Sequence, residues 1–340
     1  MKSIIEIFKT RTPLYLNVIV TIIIVAVVSY FVSATGTKVK RPVVVNTVVP
    51  AEVNCSDMKI LRNNNFTYTH PILLVDLPEE SKSLMPLKSQ ITTLIEERKQ
   101  QGTITSASVF LKEFSIGGWI GINTETPYNP GSLVKMAMMI TYMKDSESNP
   151  GLLEKKLYFD PKYFKVVPRQ TFEENSIKPG QWYTVKELLM RMIIYSDNYS
   201  TGLINMNANL NTFNKLYSDL NQPVPDVHNM AYATNVVDYS KFLRILYNGS
   251  YLKKSNSELC LQWLAQSSFV SGMTKYLPKE AVVCRKFGEF GLNAEKQWHE
   301  SGIVYYKNKT YLLTIMTKGL DIVKMRETIS EISRLAFTNM

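Results

Sequence analysis

The spacing of apolar residues changes character three times along the chain. Between Arg11 and Lys38 there is no charged residue, and Leu14 to Ser33 is almost continuously aliphatic. A run of about twenty apolar residues matches the thickness of a bilayer, which predicts a membrane-spanning segment at 14–33. It is longer than the core of a usual cleaved signal, so a retained signal anchor is the expectation, although Val32-Ser33-Ala34 has the small-residue pattern of a cleavage site. From Thr35 to about Pro71 the period disappears into Val, Thr, Asn and Pro, including Asn63-Asn64-Asn65, and 34–75 reads as a linker or stalk.

Beyond that point helical and alternating patterns take over, in residues 76–340. A helix is expected from Leu87 to Gln100, with Ile91, Leu94 and Ile95 on one face. Two strands follow, Ser106 to Phe114 and Gly118 to Asn123, joined at a Gly117-Gly118 turn. Met136, Met139, Ile140 and Met143 then recur at helical spacing, and Asp160 to Gly180 is polar and turn-rich. Thr184-Val-Lys-Glu187 is a capping box that opens an apolar helix, Leu188 to Ile194. Further helices are expected from Thr234 to Gly249 and from a second capping box, Ser255-Asn-Ser-Glu258. The chain closes with strands Ala281 to Phe287, Gly302 to Tyr306 and Tyr311 to Thr317, then a helix from Val323 to Ala336. Strands at both ends with helices between them predict an α+β fold. Its antiparallel sheet is built from both termini of the domain, flanked by helices, and carries an inserted all-helical subdomain.

Composition narrows the function classes. A hydrophobic fraction of 45% with 11% aromatic residues is that of a globular chain. The formal charge of +10 comes from dispersed Lys and Arg, with no long basic run. That argues against nucleic acid as a partner and is compatible with an anionic envelope polymer or membrane surface. Cys55, Cys260 and Cys284 lack metal-ligand spacing, and the latter two sit in apolar surroundings as buried thiols. No phosphate-binding glycine loop or metal-ligand cluster is present, so no cofactor and no metal are expected.

The densest candidate chemistry lies at Tyr128-Asn-Pro-Gly-Ser-Leu-Val-Lys135, where Pro130 and Gly131 break a strand just before an apolar helix. Ser132 falls in the first turn and Lys135 three residues on, on the same face. Burial and the positive end of the helix dipole disfavour a charged lysine there, and a neutral amine can accept a serine proton. Ser-x-x-Lys also occurs at Ser56–Lys59 and Ser250–Lys253, but only Ser132 opens an apolar helix. The plainer alternative is a serine that merely starts a core helix.

Ser132-x-x-Lys135, Ser196-Asp197-Asn198 and Lys286-Phe287-Gly288 stand in an order and spacing that resemble the penicillin-binding and class A β-lactamase superfamily of serine acyl-transferases. The resemblance covers about residues 85–338, and implies a β-lactamase/transpeptidase-like fold. It implies Ser132 as nucleophile, Lys135 as its base or proton relay, Ser196 as proton donor to the leaving nitrogen, and Lys286 lining the site. Asn198 would hold the substrate amide, Asp197 would bond inside its own turn, and the N–H groups of Ser132 and Glu289 would form an oxyanion hole beside Gly288. It also implies substrates that are β-lactams or peptidoglycan peptides. The domain is then expected outside the cytoplasm, on a single-pass anchor in the cell membrane, with 1–13 as a short cytoplasmic segment.

Two departures stand out. Phe287 takes the substrate-binding position where the family has a Thr or Ser hydroxyl for a substrate carboxylate. Between Tyr199 and Thr234 there is no Glu to activate a deacylating water, only Asp219 and Asp226. His299 and Glu300, placed just before a strand, are further candidates for the cleft wall. The expected activity is therefore a serine hydrolase opening a β-lactam or related amide bond through acyl-Ser132. The alternatives are a D-alanyl peptidase or transpeptidase acting on peptidoglycan, and a catalytically degenerate cell-wall-binding module.

Overall fold

The computed structural model of the chain describes residues 58–164, 175–225, 232–291 and 295–340. The chain divides into two units, Met1–Asn54 and Cys55–Met340, and every described residue belongs to the second. The expected membrane span at 14–33 and most of the expected linker lie outside the described residues. No helix among the described residues is long and apolar enough to cross a membrane.

A five-stranded antiparallel sheet organises the domain. Its strands are β3 (Ser106–Glu113), β4 (Trp119–Ile122), β7 (Val282–Phe290), β8 (Lys296–Tyr306) and β9 (Lys309–Gly319), in the spatial order β4-β3-β9-β8-β7. The first and last thirds of the domain thus meet at β3 and β9, with Val109 opposite Ile315 and Leu111 opposite Leu313. Successive residues of β9 alternate between the two faces: Leu313 and Ile315 pack on one side, Leu312 and Met316 on the other. The first face is covered by α1 (Met85–Gln100) and α8 (Ile322–Asn339) through Ile91, Ile95, Ile329 and Ile332. The second face receives the helices inserted between β4 and β7: α2 (Val134–Ser146), α3 (Val185–Ile194), α4 (Asn198–Met206), α5 (Leu210–Asp219), α6 (Val236–Tyr247) and α7 (Lys254–Ala265). A small ribbon, β5 (Lys156–Tyr158) with β6 (Trp182–Thr184), joins α2 to α3.

Helix α2 is buried along its whole length from Lys135 to Met143, which is why it reads as apolar all round. Thr184 caps α3 by accepting from the Glu187 N–H at 3.1 Å. Glu187 itself bonds Arg191 rather than the cap, so half of the expected box forms.

Several sequence expectations need correction. Residues 59–76 are not all linker: β1 (Lys59–Arg62) and β2 (Ile72–Asp76) pair as a ribbon, and Leu73 and Leu74 are buried in the core. The polar Asn-rich turn between them masks the strands. The strand expected to start at Gly302 begins at Lys296, because Trp298, His299, Glu300 and Ser301 are all buried with their polar groups bonded. His299 and Glu300 therefore lie inside a central strand. Helix α7 starts at Lys254 with no side-chain cap, one residue ahead of the expected box at Ser255. Helices α4 and α5 were hidden by Asn and Ser, and each is started by a capping side chain, Asp197 and Asn209.

Candidate active site

The segment before Ser132 is tied to the sheet at several points. Tyr128 pairs backbone to backbone with Thr234, and its hydroxyl bonds Ser106 and Ser108 at 2.9 Å each. The Asn129 N–H donates to Gln297 Oε1 at 3.0 Å. His299 Nδ1 accepts from the Thr317 N–H at 3.2 Å, so its Nε2 carries the proton and donates to the Asn129 carbonyl at 3.0 Å. Burial pushes His299 down to about 4, which keeps the ring neutral in this role.

From there the chain makes a single 3-10 turn, Gly131–Leu133, and runs into α2. Gly131 has φ +50, and a Cβ on it would collide with the Glu289 carbonyl of edge strand β7. A Cβ on Gly288 would collide in turn with the Pro130 carbonyl. The Ser132 turn and the edge strand thus nest backbone to backbone. Tyr239 of α6 donates its hydroxyl to the Leu133 carbonyl at 3.1 Å and closes the turn from the other side.

At the second residue of α2, the Lys135 ammonium is buried. It donates to the Ser196 carbonyl at 2.6 Å, to Ser196 Oγ at 3.1 Å and to Asn198 Oδ1 at 2.7 Å. These bonds point at the α3–α4 junction and not at Ser132 Oγ, although Ser132 precedes Lys135 by a single turn. Lys286, fully buried on β7, donates to the same Ser196 Oγ at 3.0 Å and to the Phe287 carbonyl at 3.0 Å. Two amines therefore converge on one hydroxyl. Burial pushes Lys135 down to about 7, with the charge of Asp197 opposing. Burial also drives Lys286 well below its ordinary value, reinforced by Lys135 and opposed by Glu300. Neither lysine is in an ion pair among the described residues, so repulsion within the pair favours the loss of a proton.

Ser196 is held at φ +57, a left-handed conformation that a non-glycine residue adopts only under local constraint. The constraint is Asp197, 1% exposed, whose carboxylate caps α4 by accepting from Tyr199 N at 3.2 Å, Ser200 N at 3.1 Å and Ser200 Oγ at 2.5 Å. That cap presents Ser196 on one side and Asn198 on the other to Lys135.

The structure brings Lys135, Ser196, Asn198 and Lys286 together, and sets Gly288 and Glu289 against the Ser132 turn. Phe287 is different: its ring is 2% exposed, stacked on Trp298 at 5.2 Å and 5° and packed on Phe269 at 4.9 Å, with the Lys286 ammonium 3.9 Å from its centroid. It lies beneath the lysine as packing and offers no hydroxyl. His299 and Glu300, expected as cleft candidates, are both 0% exposed, with their polar atoms bonded to neighbouring segments. His299 supports Asn129, while Glu300 accepts from Met273 N at 3.0 Å and Trp298 Nε1 at 3.3 Å and pairs with Arg285 at 3.6 Å. Asp219 is bonded by Lys215 and Tyr251, and Asp226 lies outside the described residues. Tyr239, Gln297 and the Asn129 carbonyl were not anticipated. Their only trace in the sequence is polar residues interrupting apolar runs.

Comparison with known proteins gives a consistent picture. The model of the beta-lactamase enzyme family matches residues 86–340. Among solved structures, PBP-A superposes with a TM-score of 0.65 at 18% identity, covering 76% of this chain and 97% of PBP-A. A point mutant of PBP-A, solved as an acyl-enzyme complex with penicillin G, gives 0.64 at 17%, covering 76% and 98%. A beta-lactamase from Sphaerobacter thermophilus gives 0.63 at 16%, covering 74% and 96%. At these identities the likeness is one of fold. No match was found among the curated proteins.

Proposed function

Because the chain belongs to the beta-lactamase enzyme family, we propose that it is a serine hydrolase that opens a β-lactam or related amide bond through an acyl-Ser132 intermediate. The observation that carries this reading is the convergence of Lys135 and Lys286 on Ser196 Oγ at 3.1 and 3.0 Å, one helical turn from Ser132. In the proposed cycle Ser132 Oγ attacks the carbonyl carbon and its proton passes to Lys135 as a neutral amine. The proton moves on to Ser196, which gives its own to the departing nitrogen as the C–N bond breaks. The N–H groups of Ser132 and Glu289 face the developing oxyanion, a contribution of about 2.7 to 4 kcal/mol per donor in enzymes that use one. Asn198 orients the substrate amide, and Lys286 holds Ser196 in place.

With Phe287 at the position of the usual hydroxyl, the site offers no hydroxyl there to a substrate carboxylate. Deacylation is proposed to be slow, because no Glu lies between Tyr199 and Thr234. That same observation favours a second reading, a penicillin-binding-type peptidase or transpeptidase, in which acylation is needed but a dedicated hydrolytic base is not. The likeness to PBP-A, seen as a penicillin G acyl-enzyme in a mutant form, is compatible with both. An anchor at 14–33 with the catalytic domain outside the cytoplasm is part of the proposal, supported by the apolar run alone. Membrane fractionation with protease protection tests it.

The central test is intact mass of the protein and its Ser132→Ala variant over time after addition of a β-lactam panel. A Ser132-dependent adduct that decays supports a β-lactamase, and one that persists supports the peptidase reading. No adduct from folded protein with any member removes both.

A further inference from the structure

On the side of the domain built by the β1–β2 ribbon lies a cavity of about 450 Å³, a volume typical of small-molecule sites. Met58, Ile72, Leu74, Phe114 and Ile116 supply apolar walls. Lys112 from β3 and Arg244 from α6 also line it, and no carboxylate among the described residues does. Part of the wall comes from residues 58–77, which precede the segment matched by the family. None of the residues assigned to the active site takes part.

The two cations are built in rather than surface-borne. Lys112 is 5% exposed and Arg244 1%. Both lean on one acid behind the wall: Lys112 Nζ donates to Asp76 Oδ1 at 3.0 Å and Arg244 Nη2 to the same oxygen at 2.6 Å. Burial opposes ionisation of Asp76, yet Arg244 and Lys112 together hold its carboxyl below the usual range; burial, and then Arg244, also lower Lys112, with Asp76 opposing. A single carboxylate thus serves two positive charges. Arg244 Nη1 is left buried with no hydrogen-bond partner among the described residues, a state that is costly for a charged donor.

An apolar cavity with one uncompensated positive charge selects for a particular ligand chemistry. An amine would be repelled, and a neutral alcohol would leave the charge unbalanced. A phosphate dianion would overshoot it and gain nothing from the aliphatic walls. We propose that this cavity is a binding site for an amphipathic monoanion, a carboxylate with an aliphatic tail, whose head pairs with Lys112 and Arg244 and whose tail lies along Ile72, Phe114 and Ile116.

The test is calorimetric titration of the full chain with octanoate, below its micellar concentration, beside octylamine as a probe of equal length and opposite charge. Saturable one-to-one binding of octanoate is expected, with octylamine at least about tenfold weaker. Lys112→Met keeps the side-chain stem and leaves Asp76 paired with Arg244, and is expected to weaken octanoate about tenfold or more, as is Arg244→Gln. If Arg244→Gln does not fold, the probe pair and Lys112→Met carry the test. Ser132→Ala is expected to leave octanoate affinity unchanged. Absence of saturable binding, equal binding of both probes, unchanged affinity in folded Lys112→Met, or loss of binding in Ser132→Ala each overturns the proposal.

Discussion

If Lys135 is the group that takes the Ser132 proton, the acylation rate must follow its neutral fraction, and the structure says where that fraction changes. The amine is buried, among the described residues it donates only to a carbonyl, a hydroxyl and an amide oxygen, and a second lysine shares that hydroxyl. Burial places it at about 7, against 10.5 for a lysine in water. A base of that strength is about 1% neutral at pH 5, half neutral at pH 7 and about 99% neutral at pH 9. The second-order rate constant for acylation by a penicillin should therefore climb about tenfold from pH 5 to pH 6 and level off above about pH 8. A lysine near 10.5 would give a rate still rising tenfold per unit at pH 9. The assay is single-turnover: protein and excess penicillin are mixed at constant ionic strength, quenched in acid, and the acylated fraction is read by intact mass. Lys135→Arg should be inert at every pH, since a guanidinium stays protonated. A rate that is flat from pH 5 to 9, or one that is still climbing at pH 9, would refute the assignment of Lys135 as base.

Three further outcomes follow from the geometry. Phe287→Thr, which restores the hydroxyl usual at that position, empties an aromatic stack and should cost about 3 kcal/mol, lowering the calorimetric midpoint by roughly 5 °C; a loss below about 1 kcal/mol would mean the stack is not structural. Asp197→Ala removes the α4 cap and should cost about 2 kcal/mol, while acylation falls further than stability does, because Ser196 and Asn198 flank the cap; equal losses in a rate and unfolding comparison would contradict that. His299 binds a proton in the unfolded chain near 6.5 but in the folded chain only near 4. The unfolded state therefore holds more protons across that window, and stability should drop by about 3 kcal/mol as pH falls from 6.5 to 4. Urea midpoints should show this component in the parent and not in His299→Gln.

What could be read in advance was whatever is encoded locally. Ser132 and Lys135 lie one turn apart where a 3-10 turn enters an apolar helix, and that context, rather than a spacing that recurs at Ser56 and Ser250, singled them out; the order of Ser196, Asn198 and Lys286 along the chain grouped the rest with them. The strand at Ser106 showed through the Gly117-Gly118 turn that joins it to the next. By contrast, the left-handed Ser196 is set by a cap three-dimensional in its consequences, with Asp197 aiming its neighbours at Lys135. The early start of β8 was concealed because Trp298, His299 and Glu300 satisfy their polar groups across strands, through partners near residues 129, 273 and 317 that no local pattern links to them. The β1–β2 ribbon escaped notice because its two halves are short and separated by a polar turn. Its anchoring acid, Asp76, finds Lys112 and Arg244 only in the folded chain.

The two glycines that let the nucleophile turn and the edge strand nest together also limit how this protein can evolve. Gly131 and Gly288 each occupy the space a methyl group would need beside the other's segment. Any side chain at either position pushes the Ser132 turn and the Glu289 backbone apart at once, so the two N–H groups proposed to meet an incoming carbonyl would lose their spacing together. Random mutagenesis selected for altered substrate range should thus leave these two codons untouched and gather its changes in segments that border the cleft without supporting it.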